Sequence, residues 1–142
     1  MERVYTTPLL DKLGIRPGMR VAIVGVLEDD DEVLDDEGPF RERLAGRTSD
    51  ITDGRPEPET DIVILAADTT AELVALADLR ARIRPTGAIW VVSRKGRAAT
   101  LRDVDVIAAA REHRLVDNKV VSFSTRRTAL RLVIPVALRL KG

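Results

Sequence analysis

The stretch LGIRPGMRVAIVG, residues 13–25, decides the fold of this chain. A turn at Arg16-Pro17-Gly18 precedes four consecutive apolar residues at 21–24, and Gly25 ends the run. Continuous apolar residues bounded by turn residues are typical of a parallel strand that is buried on both faces. The stretch therefore predicts the first strand of an α/β domain.

The segment that follows this strand is strongly acidic. Residues 28–37 read EDDDEVLDDE and hold eight carboxylates in ten positions. Ligand-binding α/β domains often have a glycine-rich turn here, because the backbone must approach a phosphate or cofactor closely. Like charges at this density repel, so we expect a solvated acidic loop over residues 28–38. Its contiguous carboxylates lack the alternating spacing that wraps one Ca²⁺ ion, so we predict no metal site, with binding of Ca²⁺ or Mg²⁺ by the carboxylates as the alternative.

The composition bounds the class of protein. Of the 142 residues 44% are hydrophobic and only 3% are aromatic, so the core must be aliphatic. The lack of cysteine excludes thiol nucleophiles and disulfides and favours a cytoplasmic location. The longest apolar run, residues 132–138, is far shorter than the roughly 20 residues of a membrane-spanning helix, so we expect no membrane partner. We expect a single domain over residues 1–142, with a linker-like break at 54–60.

The charges are segregated along the chain, although the net charge is zero. Residues 28–61 carry 14 acidic and 4 basic side chains, whereas residues 80–142 carry 4 acidic and 15 basic ones. The two halves can attract each other, or their surfaces can steer a partner. Neither half is basic enough, and the chain has too few aromatic rings, to favour nucleic acid. We therefore expect a protein or small-molecule partner.

Strand and helix patterns alternate along the rest of the chain. Apolar runs predict strands at residues 61–67 and 88–93, and a short strand lies within 47–53. Helices are predicted at residues 8–13, 40–45 and 71–83, and a turn at 84–87 follows the third of them. Thr69 with Glu72 forms a capping box before that third helix.

The last third of the chain predicts one more helix and a hairpin. Thr100 with Asp103 forms a second capping box, opening a helix over residues 101–113 whose buried face holds Val104, Ile107 and Ala108. Two strands near 119–124 and 129–137 with a short connection predict an antiparallel hairpin. Pro135 predicts an edge or a bulge in the last strand. The whole order predicts a small Rossmann-like α/β fold, a mostly parallel sheet flanked by helices that ends in an antiparallel β-hairpin.

Two of these stretches are similar to class I S-adenosylmethionine-dependent methyltransferases. Residues 13–25 resemble the first-strand motif, and residues 79–92, with the 84–87 turn, resemble the Pro-Gly segment late in that fold. The resemblance implies S-adenosylmethionine as cofactor. The chain departs from the pattern after Gly25, where Val26-Leu27-Glu28 replaces the expected Gly-x-Gly, and no separate strand clearly supplies an acidic residue for a ribose.

A closer resemblance covers nearly the whole chain. Residues 7–15, 115–124 and 128–131 look like those of a small bacterial family of uncharacterised proteins with a domain of unknown function. This resemblance implies a Rossmann-like fold but no activity, and it supplies no catalytic residues to carry over to this chain.

The candidate ligand pocket lies where the predicted strands end. Ligands of open α/β sheets bind at the carboxyl ends of the strands. We therefore predict a pocket formed by the residues that follow these strands: Gly25, Glu28, Asp68, Ser93 and Lys95. The acidic groups would accept hydrogen bonds from a hydroxyl or amine, and the lysine would pair with an anion. The alternative is that Asp68 belongs to the turn before its helix and that the basic residues are only solvated.

Two further residues are better explained by structure than by chemistry. Trp90 lies in the middle of a predicted central strand, so we expect it in the core. His113, the only histidine, ends a predicted helix and has no evident partner for nucleophilic catalysis.

The functional hypothesis depends on what the sequence lacks. It has no glycine loop, no nucleophile–base pair and no cluster of cysteine or histidine. This favours a non-catalytic Rossmann-like module that binds a ligand or partner. The alternative is a minimal S-adenosylmethionine-dependent methyltransferase-like enzyme, and a homo-oligomer that pairs terminal strands is a third hypothesis.

Overall fold

Six strands of the described chain form one sheet in the computed structural model, which describes residues 8–27 and 39–139. The predicted acidic loop at 28–38, with Glu28, lies outside the described residues. The helices are α1 (Leu9–Lys12), α2 (Phe40–Arg47), α3 (Leu76–Arg82) and α4 (Asp103–Glu112). The strands are β1 (Val21–Val24), β2 (Ile51–Asp53), β3 (Thr60–Ala66), β4 (Ile83–Arg94), β5 (Val116–Ser122) and β6 (Arg127–Val133).

The strand order is β2-β1-β3-β4-β6-β5. The first four strands in this order pair in parallel, whereas β6 runs antiparallel to both β4 and β5. The chain runs from β1 to β2 on one side and then returns to β3 on the other side of β1. This confirms the predicted Rossmann-like sheet with its terminal hairpin, and it places a reversal of strand order beside β1.

Each face of the sheet carries its own apolar layer. One layer packs α1 and α2 on the sheet and includes Leu10, Leu44 and Trp90. The other packs α3, α4 and the 3₁₀ turn Ala71–Ala75. Trp90 is fully buried, as predicted, and its indole N–H donates to the carbonyl oxygen of Leu13 at 3.0 Å. A buried indole usually finds such a partner, because an unsatisfied N–H would cost stability.

The predicted helix over 71–83 is built differently from the expectation. Its first half is the 3₁₀ turn Ala71–Ala75, and its α-helical part ends at Arg82. The predicted buried stripe is nevertheless confirmed, since four apolar side chains at helical spacing are almost fully buried: Leu73, Leu76, Leu79 and Ile83.

The turn predicted at 84–87 is absorbed into β4. Thr60 pairs with Ile83 and Ile62 pairs with Ala88, so residues 84–87 protrude between two paired positions. A Cβ on Gly87 would lie 2.8 Å from the carbonyl oxygen of Asp61. The chain therefore folds back tightly here without leaving the sheet, and Pro85, which lacks an N–H, falls in the unpaired part.

The capping box predicted for α4 is wrong by two residues. The carboxylate of Asp105 accepts the N–H of Arg102, and α4 begins at Asp103. Thr100 is used elsewhere, because its hydroxyl donates to the carbonyl oxygen of Asp68 at 2.6 Å.

The buried face predicted for α4 is only partly found, since Ile107 alone of the three predicted residues packs against the apolar layer. Val106 and Ala110 are buried, whereas Val104 is 60% exposed. Ile107 is half-buried and Ala108 is exposed. The helix axis is fixed by its packing on the sheet, and that packing selects residues spaced four apart rather than the most apolar ones.

The terminal hairpin lies about three residues earlier than predicted at each strand. Ser124 Oγ accepts the N–H groups of Arg126 and Arg127 in the turn, so the last strand begins at Arg127. That strand ends at Val133, and Pro135 instead precedes the 3₁₀ turn Val136–Leu138. Within the hairpin the strand at the edge of the sheet is β5, and its irregularity lies between Asp117 and Lys119.

Candidate functional site

A cleft of about 300 Å³ lies at the carboxyl ends of β1 and β2. Its lining combines the end of β1, the first turn of α2 and the end of β2: Ile23, Gly25, Val26, Leu27, Phe40, Arg41 and Asp53. The position is the one that open α/β sheets use for ligands, beside the strand at which the order reverses. The volume is at the lower end of the range for small-molecule sites.

The parallel pairing of β1 with β2 brings the cleft residues together. Ile23 is opposite Asp53, and the N–H of Gly54 donates to the carbonyl oxygen of Ile23 at 2.7 Å. Asp53 is the last residue of β2, so its carboxylate leaves the sheet at the carboxyl edge. It is the acidic group at the end of a separate strand that the sequence pattern did not reveal.

The apolar side of the cleft is held by the core. Phe40, the first residue of α2, is buried and lies 5.0 Å from Phe123 between ring centres, with the rings tilted by 52°. This geometry is typical of a favourable aromatic pair. Phe123 belongs to the turn of the terminal hairpin. Its contact with Phe40 fixes the position of that ring, which forms one wall of the cleft.

Arg41, the next residue of α2, also lines the cleft and pairs with Asp53. Its Nη1 is 2.5 Å from Oδ1 and its Nη2 is 2.6 Å from Oδ2, so the guanidinium engages both carboxylate oxygens. The hydrogen bond to Asp53 raises the pKa of Arg41 above its ordinary value. Arginine is protonated in proteins in any case, so Arg41 and Asp53 form a bidentate ion pair on the cleft.

The predicted pocket residues are distributed over this edge of the sheet. Gly25 lines the cleft. Asp68 follows β3, Ser93 is the last but one residue of β4, and Lys95 follows β4. Asp68 Oδ1 accepts the N–H of Arg94 at 2.9 Å, and Ser93 is buried. Lys95 is half-buried and its Nζ donates to the hydroxyl of Ser122 at 2.6 Å.

The loop after β3 is organised around Glu72. Its carboxylate accepts the N–H groups of Asp68 and Thr69 and the Thr69 hydroxyl, and the N–H of Glu72 donates back to that hydroxyl. The predicted capping box is thus present. The hydrogen bond from the Asp68 N–H lowers the pKa of Glu72 below its ordinary value.

Three further observations concern His113, metal binding and membrane-spanning helices. His113 directly follows the last residue of α4, at its C-cap, and is half-buried. Within residues 8–27 and 39–139, no three His, Cys, Asp or Glu side chains lie together in a way that could hold a metal ion. None of the helices in the described chain is long and apolar enough to cross a membrane.

The fold is shared with solved structures of methyltransferases. The chain is similar to magnesium protoporphyrin IX methyltransferase from Synechocystis PCC 6803 with bound S-adenosylmethionine, at a TM-score of 0.55 and 14% identity, over 89% of this chain and 74% of that one. A S-adenosylmethionine-dependent methyltransferase from Aquifex aeolicus matches at a TM-score of 0.53 and 13% identity, over 89% of this chain and 88% of that one.

Another solved structure of this fold is named for a different reaction. Precorrin 8W decarboxylase from Methanobacterium thermoautotrophicum matches at a TM-score of 0.53 and 14% identity, over 88% of this chain and 87% of that one. No protein-family model and no curated protein sequence matches the chain. At these identities the likeness shows the fold alone, because one fold carries many activities. The chain has a Rossmann-like fold of the type found in S-adenosylmethionine-dependent methyltransferases.

Proposed function

We propose that the cleft binds the nucleoside part of S-adenosylmethionine or S-adenosylhomocysteine, and that the protein is a minimal methyltransferase-like enzyme. The observation that carries this proposal is the carboxylate of Asp53 at the end of β2, on the wall of the cleft that Gly25 also lines. In Rossmann-type sites an acidic residue at such a place hydrogen-bonds the ribose hydroxyls.

The lining of the cleft fits a nucleoside. A site of this kind needs apolar walls for a flat base and a few polar groups that fix its orientation. Ile23, Leu27 and Phe40 supply apolar surface, and Asp53 supplies two oxygen acceptors for two hydroxyl donors. The positive φ of Gly25, 89°, lets the chain turn away from the sheet directly after β1 and leave room at the strand end.

When the bound ligand is S-adenosylmethionine, its activated methyl group supplies the chemistry. Asp68, Ser93 and Lys95, which lie at the ends of β3 and β4, are proposed to contact the rest of the ligand or a second reactant. Lys95 supports this assignment, because its described partner is the neutral hydroxyl of Ser122 and its charge stays available for an anion. The proposed contribution of Glu28 remains a prediction from the sequence.

The sequence alone favours a non-catalytic module, and the comparisons weigh against that preference. Two of the similar structures are named as methyltransferases, and one of them holds S-adenosylmethionine. This supports the methyltransferase-like alternative better than the non-catalytic reading. Binding and methyl transfer are separable, so the proposal is tested first at the level of binding.

Calorimetric titration of the purified protein with S-adenosylmethionine and S-adenosylhomocysteine tests the proposal. We expect saturable binding with a micromolar Kd, equivalent to about −8 kcal/mol. Adenosine should bind more weakly, since it retains the base and ribose but lacks the amino-acid part. The absence of heat for all three compounds at millimolar concentration would refute the proposed function.

A further inference from the structure

We infer that Arg41 competes with the ribose hydroxyls of the ligand for the carboxylate of Asp53, and thereby lowers the affinity of the cleft. The inference rests on the proposed function and goes beyond it. It makes Arg41 a specificity-determining residue that is absent from the predicted pocket. Its basis is that Asp53, the proposed acceptor for the ribose hydroxyls, and Arg41, whose guanidinium is bonded to that carboxylate, line the same cleft.

The two interactions use the same oxygen atoms. Arg41 donates to Oδ1 and to Oδ2 of Asp53 through separate nitrogens, at 2.5 and 2.6 Å. A ribose diol that binds a carboxylate also brings two donors to its two oxygens. Because the guanidinium fork lies where these donors would come, the hydroxyls must displace at least one of its nitrogens.

The pair is weak enough to be displaced. The side chains of Arg41 and Asp53 are 50% and 59% exposed, so water screens their attraction and solvates both groups after separation. An exposed ion pair of this kind shifts an equilibrium by about 1.5- to 5-fold. Displacement of Arg41 therefore lowers the affinity by a modest factor and does not prevent binding.

Arg41 can move without loss of α2. The helix is held in the core by Phe40 and Leu44, which are buried. At its other end, Nη1 of Arg47 donates to Asp11 Oδ1 and to the carbonyl oxygen of Ile15, both at 2.8 Å. Only the side chain of Arg41 has to turn, so the helix stays over the cleft while the carboxylate is exchanged.

Binding to the Arg41→Gln variant tests the inference, since glutamine keeps a polar side chain but cannot form the ion pair. We expect S-adenosylhomocysteine to bind about 1.5- to 5-fold more tightly than to the wild type. The matched control is Arg55→Gln, because Arg55 forms an exposed two-point pair with Asp78, and neither residue lines the cleft. The control variant should bind like the wild type.

A pair of nucleosides separates competition for the hydroxyls from simple widening of the cleft. Adenosine and 2′,3′-dideoxyadenosine are compared as competitors of S-adenosylhomocysteine on both proteins. Arg41→Gln should tighten the binding of adenosine and leave the affinity for 2′,3′-dideoxyadenosine unchanged, because the latter brings no hydroxyl to Asp53. An equal gain for both nucleosides would overturn the inference.

Salt provides a readout that needs no second ligand. Raising the ionic strength from about 0.05 to 0.5 M shortens the screening length from about 14 to about 4 Å and weakens an exposed ion pair. S-adenosylhomocysteine carries no net charge, so salt should tighten its binding to the wild type and have a smaller effect on Arg41→Gln. Equal salt dependence of the two proteins would contradict the inference.

The outcomes distinguish this inference from the proposed function. If the wild type binds and Arg41→Gln binds equally or more weakly, the competition is refuted and the nucleoside site stands. If the variant binds where the wild type gives little heat, both are supported. If neither protein binds any of these compounds at millimolar concentration, the proposed function fails and this inference fails with it.

Discussion

A Cβ atom on Gly25 would lie 2.8 Å from the carbonyl oxygen of Ala66 and 3.3 Å from its Cβ. Gly25 and Ala66 directly follow Val24 and Leu65, the last residues at which β1 and β3 pair with each other. Gly25 also has a φ of 89°, which side chains rarely adopt. The glycine at the head of the cleft is therefore required by the close approach of two strand ends, whether or not a ligand is bound.

Gly25→Ala should destabilise the fold and weaken binding. We expect a loss of about 1–3 kcal/mol in the free energy of unfolding, because the left-handed backbone is strained and Ala66 must move. The measurement is urea unfolding followed by the fluorescence of Trp90. Gly46→Ala is the matched control: Gly46 lies inside α2 with no atom near its missing Cβ, so alanine should stabilise by about 0.5–1 kcal/mol. Equal effects of the two substitutions would contradict this account.

Asp53→Asn should reduce the affinity for S-adenosylhomocysteine about ten- to hundred-fold. A hydrogen bond to a charged acceptor contributes about 1.5–3 kcal/mol, and the amide offers only one acceptor oxygen. Calorimetric titration measures the change, with thermal unfolding as a check on the fold. The control is Asp78→Asn, which breaks the exposed pair with Arg55 away from the cleft. Unchanged binding by Asp53→Asn would remove Asp53 from the ligand site.

Trp90→Phe should lower the free energy of unfolding by about 2–4 kcal/mol. The substitution leaves the carbonyl oxygen of Leu13 without its indole donor and creates a small cavity in the core. Circular dichroism must follow the unfolding, because Trp90 is the only tryptophan. A loss below about 1 kcal/mol would show that the contact between α1 and β4 is supported mainly by other groups.

Glu72→Gln should lower the free energy of unfolding at neutral pH, and this loss should be smaller in acid. The hydrogen bond from the Asp68 N–H first, and then those from the Thr69 groups, lower the pKa of Glu72 below its ordinary value in the folded protein. A lowered carboxyl pKa stabilises the fold above the unfolded-state value, and the contribution is lost as the pH falls through the folded-state value. Urea unfolding at pH 7 should therefore show a difference of about 0.5–1.5 kcal/mol that shrinks near pH 3. Glu57→Gln, in the exposed segment between β2 and β3, controls for the loss of one surface carboxylate and should change the free energy of unfolding little.

Much of the framework was predictable because it depends on local patterns. The apolar run at 21–24, the strand ahead of Thr69 and the strand through Trp90 are each specified by consecutive buried residues, which only a doubly covered sheet accommodates. The capping box of Thr69 and Glu72 is likewise a contact between near neighbours. Such signals survive in any tertiary context that keeps the segment helical or extended.

The errors occur where contacts distant in sequence decide the outcome. Thr100 and Asp103 have the spacing of a capping box, but Thr100 bonds to Asp68, 32 residues away. Residues 84–87 have the composition of a turn, but pairing on both sides keeps them in β4. In each case a tertiary hydrogen bond or strand pairing replaces the local preference.

The sequence by itself determined the α/β class, the order of most elements and the position of Gly25 at the end of the first strand. Only the tertiary structure placed Asp53 and Arg41 on the cleft with Gly25. Asp53 belongs to a strand of three residues, too short to give a periodic signal, and its carboxylate reaches the site because β2 pairs with Ile23 and its neighbours. A ligand site joins residues that pairing brings together across the chain, and a linear sequence does not specify that pairing through local propensity.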